Sequence, residues 1–139
     1  MKKILFLFAM IFTCMVSYAQ ADKESNEKGP KIKFEEKTHD FGKFSESNPK
    51  VSCVFNFTNV GDKPLVIHQA ITACGCTAPS YTKEPVMPGE KGSIKVVYNG
   101  RGRYPGFFKK TIRIRTNGTP EVTTLYIQGE MTPKEETAE

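Results

Sequence analysis

The chain has 139 residues, 20 Lys and Arg against 15 Asp and Glu, and a net charge of +5 with His neutral. That length suits one domain around one core, and so small a basic excess excludes the electrostatic footprint of a nucleic-acid binder. With no Trp in the chain, the Cys…Trp…Cys core of antibody-type domains is excluded too.

Met1-Lys2-Lys3 is a basic start, and Ile4 to Val16 is a nearly unbroken apolar run that is too short to span a membrane. Ser17-Tyr18-Ala19 puts small residues before a cut at Gln20, and Ala19-Gln20-Ala21 offers a second site. This pattern predicts a cleaved signal peptide over residues 1–19 and an address in the periplasm or at the cell surface. Ile11-Phe12-Thr13 lacks the leucine and the small residue of a lipobox, so lipid anchoring at Cys14 is not expected. No second apolar segment is long enough to span a membrane. Cleavage leaves 120 residues with 18 basic and 15 acidic side chains, and the cysteines Cys53, Cys74 and Cys76. An odd count leaves at least one thiol free, metal-bound or intermolecular in the monomer.

Residues 20–31 are polar and poor in aromatics, the composition of a disordered spacer. A period of two then begins. Ile32 and Phe34 alternate with charged residues in a first strand, and Val51, Cys53, Phe55 and Phe57 share the apolar face of a second. Asn59-Val60-Gly61-Asp62 is turn chemistry ending at Pro64. Leu65, Ile67 and Ile71 are expected on one face of a third strand, with His68 on the other. Pro79, Pro85 and Pro88 restrict Thr77 to Gly89 to short edge pieces. Ile94, Val96 and Tyr98 mark a fourth strand. Phe108, Ile112 and Ile114 mark a fifth, with Lys109, Arg113 and Arg115 on its other face. Asn117-Gly118 predicts a hairpin into a last strand with Leu125 and Ile127. Residues 132–139 form an acidic tail expected to fray. Short alternating strands over residues 32–131 predict an all-β fold, an immunoglobulin-like antiparallel β-sandwich of about seven strands.

Several ordered motifs carry a resemblance. Asp40-Phe41-Gly42-Lys43 is followed by Val54-Phe55-Asn56-Phe57-Thr58-Asn59-Val60-Gly61-Asp62-Lys63-Pro64-Leu65 and by Ala73-Cys74-Gly75-Cys76-Thr77. Pro88-Gly89-Glu90-Lys91-Gly92 and Gly106-Phe107-Phe108-Lys109-Lys110-Thr111 complete the series. Over about residues 32–131 the chain resembles the secreted bacterial domain of unknown function family 1573, itself similar to Hydin-type and major-sperm-protein-type modules. The resemblance implies a seven-stranded Ig-like sandwich and brings no activity, substrate or catalytic residue. Its Cys-Gly-Cys is matched by Cys74 and Cys76, and Cys53 has no assigned place in the pattern.

Cys74-Gly75-Cys76 is the cluster with the most chemical potential. Direct pairing closes a small ring, which is strained and easily reduced. A bridge from Cys53 to this loop is also open, since both are expected toward one end of the domain. The plainer role for Cys53 is a small core residue. As thiolates, Cys74 and Cys76 suit a soft ion, copper first, with His68 or Met87 as further ligands, although His68 also reads as an exposed strand histidine and Met87 as loop packing. Redox exchange lacks the Cys-x-x-Cys and helix N-terminus that lower a thiol pKa. The letters Asp40-Phe41-Gly42 have no kinase context and read as a strand-edge turn with Phe41 buried. Arg101, Arg103, Tyr104, Lys109 and Lys110 form a basic, aromatic stretch that suits an anionic surface, or simply a solvated strand face. These features predict a non-enzymatic, secreted module without a resident cofactor that binds or scaffolds envelope proteins or glycans. The alternative is copper binding or thiol–disulfide exchange at Cys74 and Cys76.

Overall fold

Alternating β-branched and aromatic runs, cut by Gly, Pro and Asn, form eight strands. They are β1 (Ile32–Phe34), β2 (Thr38–Ser45), β3 (Lys50–Asn59), β4 (Ile67–Thr72), β5 (Thr77–Tyr81), β6 (Lys91–Asn99), β7 (Gly106–Thr116) and β8 (Val122–Thr132). The computed structural model describes residues 28–135. The expected signal peptide, Cys14, most of the spacer and the last tail residues lie outside them. Among the described residues no helix is long and apolar enough to cross a membrane.

The strands make two four-stranded sheets, ordered β1-β3-β6-β5 and β2-β8-β7-β4. The fold is the expected sandwich, with two differences. Among the described residues there are eight strands rather than about seven, and β2 runs parallel to β8 where the sequence predicts an antiparallel arrangement. The inward faces meet in one core. Phe57, Leu65, Ile94, Ile112, Ile114, Leu125 and Ile127 are completely buried there, each contributing roughly 1.5–3 kcal/mol of apolar transfer. Gly92 stands opposite Phe57 in the β3–β6 ladder, and the Phe57 ring occupies the space that a Cβ at Gly92 would need.

Several expectations are corrected by local backbone chemistry. Asp40-Phe41-Gly42 lies inside β2 rather than in a turn beside it. The β2–β8 register shifts between Asp40 and Lys43; Gly42 adopts φ 65°, and its N–H donates to Asp40 Oδ1 at 2.7 Å. That bulge leaves Phe41 only half-buried against the core. In β4 a register shift between Ile67 and Gln69 reverses the faces. Ala70 therefore packs inward, and Ile71 is 43% exposed instead of sharing the face of Leu65 and Ile67. Asn117 and Gly118 belong to a longer connection between β7 and β8, closed by Thr116 N–H donating to Glu121 O, rather than to a two-residue hairpin.

The spacer and tail boundaries also move. Gly29 N–H donates to Asp62 Oδ1 at 2.6 Å, and Val60 N–H donates to Lys31 O at 2.9 Å, so residues 29–31 are tied to the 59–62 corner. Asn59 organises that corner. It is fully buried; its Nδ2 donates to Lys63 O and Val86 O, and its Oδ1 accepts from Lys31 N–H and Gly61 N–H. At the other end Thr132 still belongs to β8.

Candidate functional site

The Cys-Gly-Cys loop is the crossover between the sheets. It leaves β4, an edge strand of one sheet, and enters β5, an edge strand of the other. Thr72 Oγ1 lies 3.2 Å from both Cys74 O and Thr77 O, the Thr77 N–H donates to Cys74 O, and the Asn99 N–H donates to Cys76 O. These bonds hold a tight turn in which Cys74 and Cys76 have Cα atoms 5.2 Å apart and sulfurs at disulfide distance, 2.05 Å. Cys76 is buried and belongs to the core, whereas Cys74 is only partly buried. A disulfide enclosing one residue removes little denatured-state entropy, about 1.5 kcal/mol in the chain-entropy account.

The third cysteine stays apart. Cys53 is a free thiol on the inner face of β3, opposite Val96 of β6. Burial pushes it up to about 11. The bridge considered between Cys53 and the loop is thus absent, and Cys53 packs in the core as its sequence position suggested.

The 100–105 link after β6 completes the corner. Gly100 N–H donates to Pro49 O at 2.8 Å and Arg103 N–H to Gly100 O at 2.9 Å, folding the link back over the domain end. This brings Arg103 Nη2 to 3.4 Å from Cys74 Sγ. Beneath it Tyr98 and Phe108 stack with ring centroids 4.0 Å apart. Burial raises the Tyr98 hydroxyl above its usual range, and the Arg103 charge partly offsets that rise.

Two clefts flank the corner. One, of about 480 Å³, is lined by Lys50, Arg101 and Arg103 together with Glu46 and Ser47. The other, of about 250 Å³, lies at the mouth between the sheets and is lined by Thr72, Cys74, Thr77, Lys109 and Lys110. Lys109 sits on the outer face of β7, its Nζ 5.0 Å from the Tyr126 ring centroid. Lys110 is half-buried on the side shared with Phe108 and Ile112. Tyr104 is 98% exposed and Phe107 69%.

The expected patch therefore divides. Arg103 reaches the disulfide, Lys109 and Lys110 line the cleft beside it with the Lys109 ammonium turned over Tyr126, and Arg101 and Tyr104 lie on the outer side. His68 is exposed on β4 and is not brought to the cysteines, because no three His, Cys, Asp or Glu side chains converge among the described residues. Met87 is 47% exposed rather than packed. A disulfide presents no thiolate to a soft ion, so this arrangement does not assemble the Cys74/Cys76/His68 set considered for copper. Sequence reasoning missed Lys50, Thr72 and Thr77. Only Thr77, adjacent to the pair, carried a local signal.

The profile of the family described as "Protein of unknown function (DUF1573)" matches residues 32–131. No curated protein matches the sequence. Among solved structures, a protein of unknown function from Porphyromonas gingivalis W83 superposes with a TM-score of 0.63 at 14% identity. The match covers 74% of this chain and 47% of that one, so this chain spans about half of that protein's length. The ASH/PapD-like domain 7 of human CEP192 gives a TM-score of 0.60 at 9% identity, covering 76% of this chain and 87% of that one. The secreted serine protease VesC of Vibrio cholerae gives 0.52 at 11% identity, over 73% of this chain and 23% of the protease. At such identities the likeness is one of fold.

Proposed function

The chain belongs to the family of proteins of unknown function DUF1573, which carries a fold and no assigned activity, and from that premise we propose that it is a binding module of the cell envelope rather than an enzyme. Its contact surface is the corner formed by residues 99–105 and the start of β7, and its partner is an acidic envelope protein. One observation carries this reading. Tyr104 and Phe107 are 98% and 69% exposed and follow closely in the chain on Arg101 and Arg103, which with Lys50 line a cleft. None of those three cations makes a salt bridge among the described residues. Exposed aromatics next to guanidinium groups that lack a salt bridge are the composition of interface hot spots, and an acidic partner supplies counter-charge beyond the single Glu46 that lines the cleft.

Immobilised protein incubated with an envelope extract at low salt is expected to retain an acidic protein, with retention falling steeply as salt rises. Tyr104→Ala combined with Arg101→Ala should weaken that binding by about tenfold or more. Equal retention by wild type and the double variant would overturn the assignment of this corner. Retention of a polysaccharide in place of a protein would transfer the partner to the anionic glycans.

A further inference from the structure

Cys74 and Cys76 differ in what surrounds their sulfurs. Cys76 is buried in the core, so an incoming thiolate can reach the pair only at Cys74, which lines the 250 Å³ cleft. Cys74 Sγ faces two N–H donors, the Cys76 backbone N–H at 3.2 Å and Arg103 Nη2 at 3.4 Å. A neutral disulfide sulfur is a poor acceptor and gains little from either. A thiolate at the same place gains a charge-assisted pair of bonds. Lys109 and Lys110 line the same cleft, and among the described residues no carboxylate does. Such an electropositive, partly exposed setting lowers a thiol pKa without a helix N-terminus. The small stabilisation a one-residue disulfide ring can contribute leaves this arrangement unexplained as a staple.

We propose that Cys74–Cys76 is a thiol–disulfide exchange site whose substrates are cysteine dithiols of peptides or proteins. A substrate thiolate attacks Cys74 Sγ and forms a mixed disulfide. The Cys74–Cys76 bond breaks and its electron pair leaves on Cys76 Sγ, which takes a proton from water entering through the cleft that Thr77 lines; the Thr77 hydroxyl is 3.7 Å from that sulfur. The second substrate thiolate attacks the substrate sulfur of the mixed disulfide, and the electron pair leaves on Cys74 Sγ. That thiolate is held by Arg103 and the Cys76 N–H. The substrate dithiol loses two electrons to become a disulfide and the Cys74/Cys76 pair gains them, so no further oxidant enters. Arg103 stabilises the leaving thiolate, and Lys110, on the inward side of β7 at the cleft, attracts the incoming one. This site goes beyond the binding role and does not depend on it.

The test uses the full chain, reduced, and iodoacetamide as probe across a pH series, with peptide mapping to separate the three cysteines. At neutral pH Cys74 should be alkylated at least about tenfold faster than the same cysteine in the urea-unfolded chain. Arg103→Met should slow it about tenfold and move its pH profile upward by about one unit, with Arg103→Lys restoring part of the shift. In the oxidised chain, a dithiol peptide should reduce the pair and itself become a disulfide. Alkylation of Cys74 at the unfolded rate, unmoved by Arg103→Met, would overturn the proposal. So would a pair that stays oxidised in excess dithiol peptide. Neither readout uses Arg101 or Tyr104, so failure here is separate from failure of the binding surface.

Discussion

Cys53 and the Cys74/Cys76 pair put the same element in two environments within one small domain. Cys53 is on a central strand, between the sheets, walled by apolar side chains, and its thiol is pushed up to about 11. The pair lies where two edge strands exchange sheets, with a guanidinium at 3.4 Å and two lysines lining the adjoining cleft. Desolvation disfavours a thiolate in the first place, and cations and N–H donors favour it in the second. The interior therefore carries stability, and the mouth is where the proposed exchange would take place. Mutations at the two should separate along that line.

The largest expected effect is in the interior. Phe57→Ala empties a fully buried site opposite Gly92 and should cost about 3–5 kcal/mol in urea unfolding. A loss below about 1 kcal/mol would erase the contrast, because the interior would then not be the source of stability.

A middle-sized effect belongs to Cys53 and appears with pH. The folded thiol stays protonated up to about 11, whereas its usual value is 9.0. Between those values the unfolded chain binds fewer protons than the folded one, so stability falls as pH rises through the window and levels off above it. Below the window both states are protonated and the thiol adds no pH dependence. Wild type should lose about 2 kcal/mol more than Cys53→Ala across this range, read as the difference between their unfolding curves. Parallel curves would place Cys53 in a more solvated setting than its burial indicates.

The smallest effect is at the mouth. Cys74→Ser with Cys76→Ser should cost only about 1–2 kcal/mol, because the ring it opens encloses one residue. A loss as large as that of Phe57→Ala would make the pair a structural staple and collapse the comparison.

Much of the sandwich was legible along the chain, since the strands that build its centre alternate cleanly. Cys53, Phe55 and Phe57 in β3, Ile94, Val96 and Tyr98 in β6, and Leu125 and Ile127 in β8 are all buried as the period of two requires. Where the period slips, the alternation no longer marks which side chains face the core. The shift after Ile67 turned Ile71 to solvent, and the bulge at Asp40 to Lys43 hid β2, because a one-residue register change reverses every later side chain. Pro79 correctly marked an edge, and β5 is that edge strand.

The candidate site was legible only in its reactive element. Sequence identified Cys74 and Cys76 as adjacent thiols, and no spacing rule links them to Arg103, which lies 29 residues away. Its guanidinium arrives because Gly100 is tied to Pro49 and the link folds back, a contact between segments far apart in the chain. Lys110 likewise read as one more basic residue of an exposed stretch, until β4 ended at Thr72 and left an opening on the side of β7 where Lys110 sits.

By itself the sequence determined the class of fold, the placement of most apolar residues and the presence of a local cysteine pair, because these follow from periodicity and covalent proximity. The tertiary structure alone decided the pairing of Cys74 with Cys76, the isolation of Cys53 and the cationic surroundings of one sulfur. Those depend on which distant segments share a sheet end, and on how much water that packing leaves around each thiol.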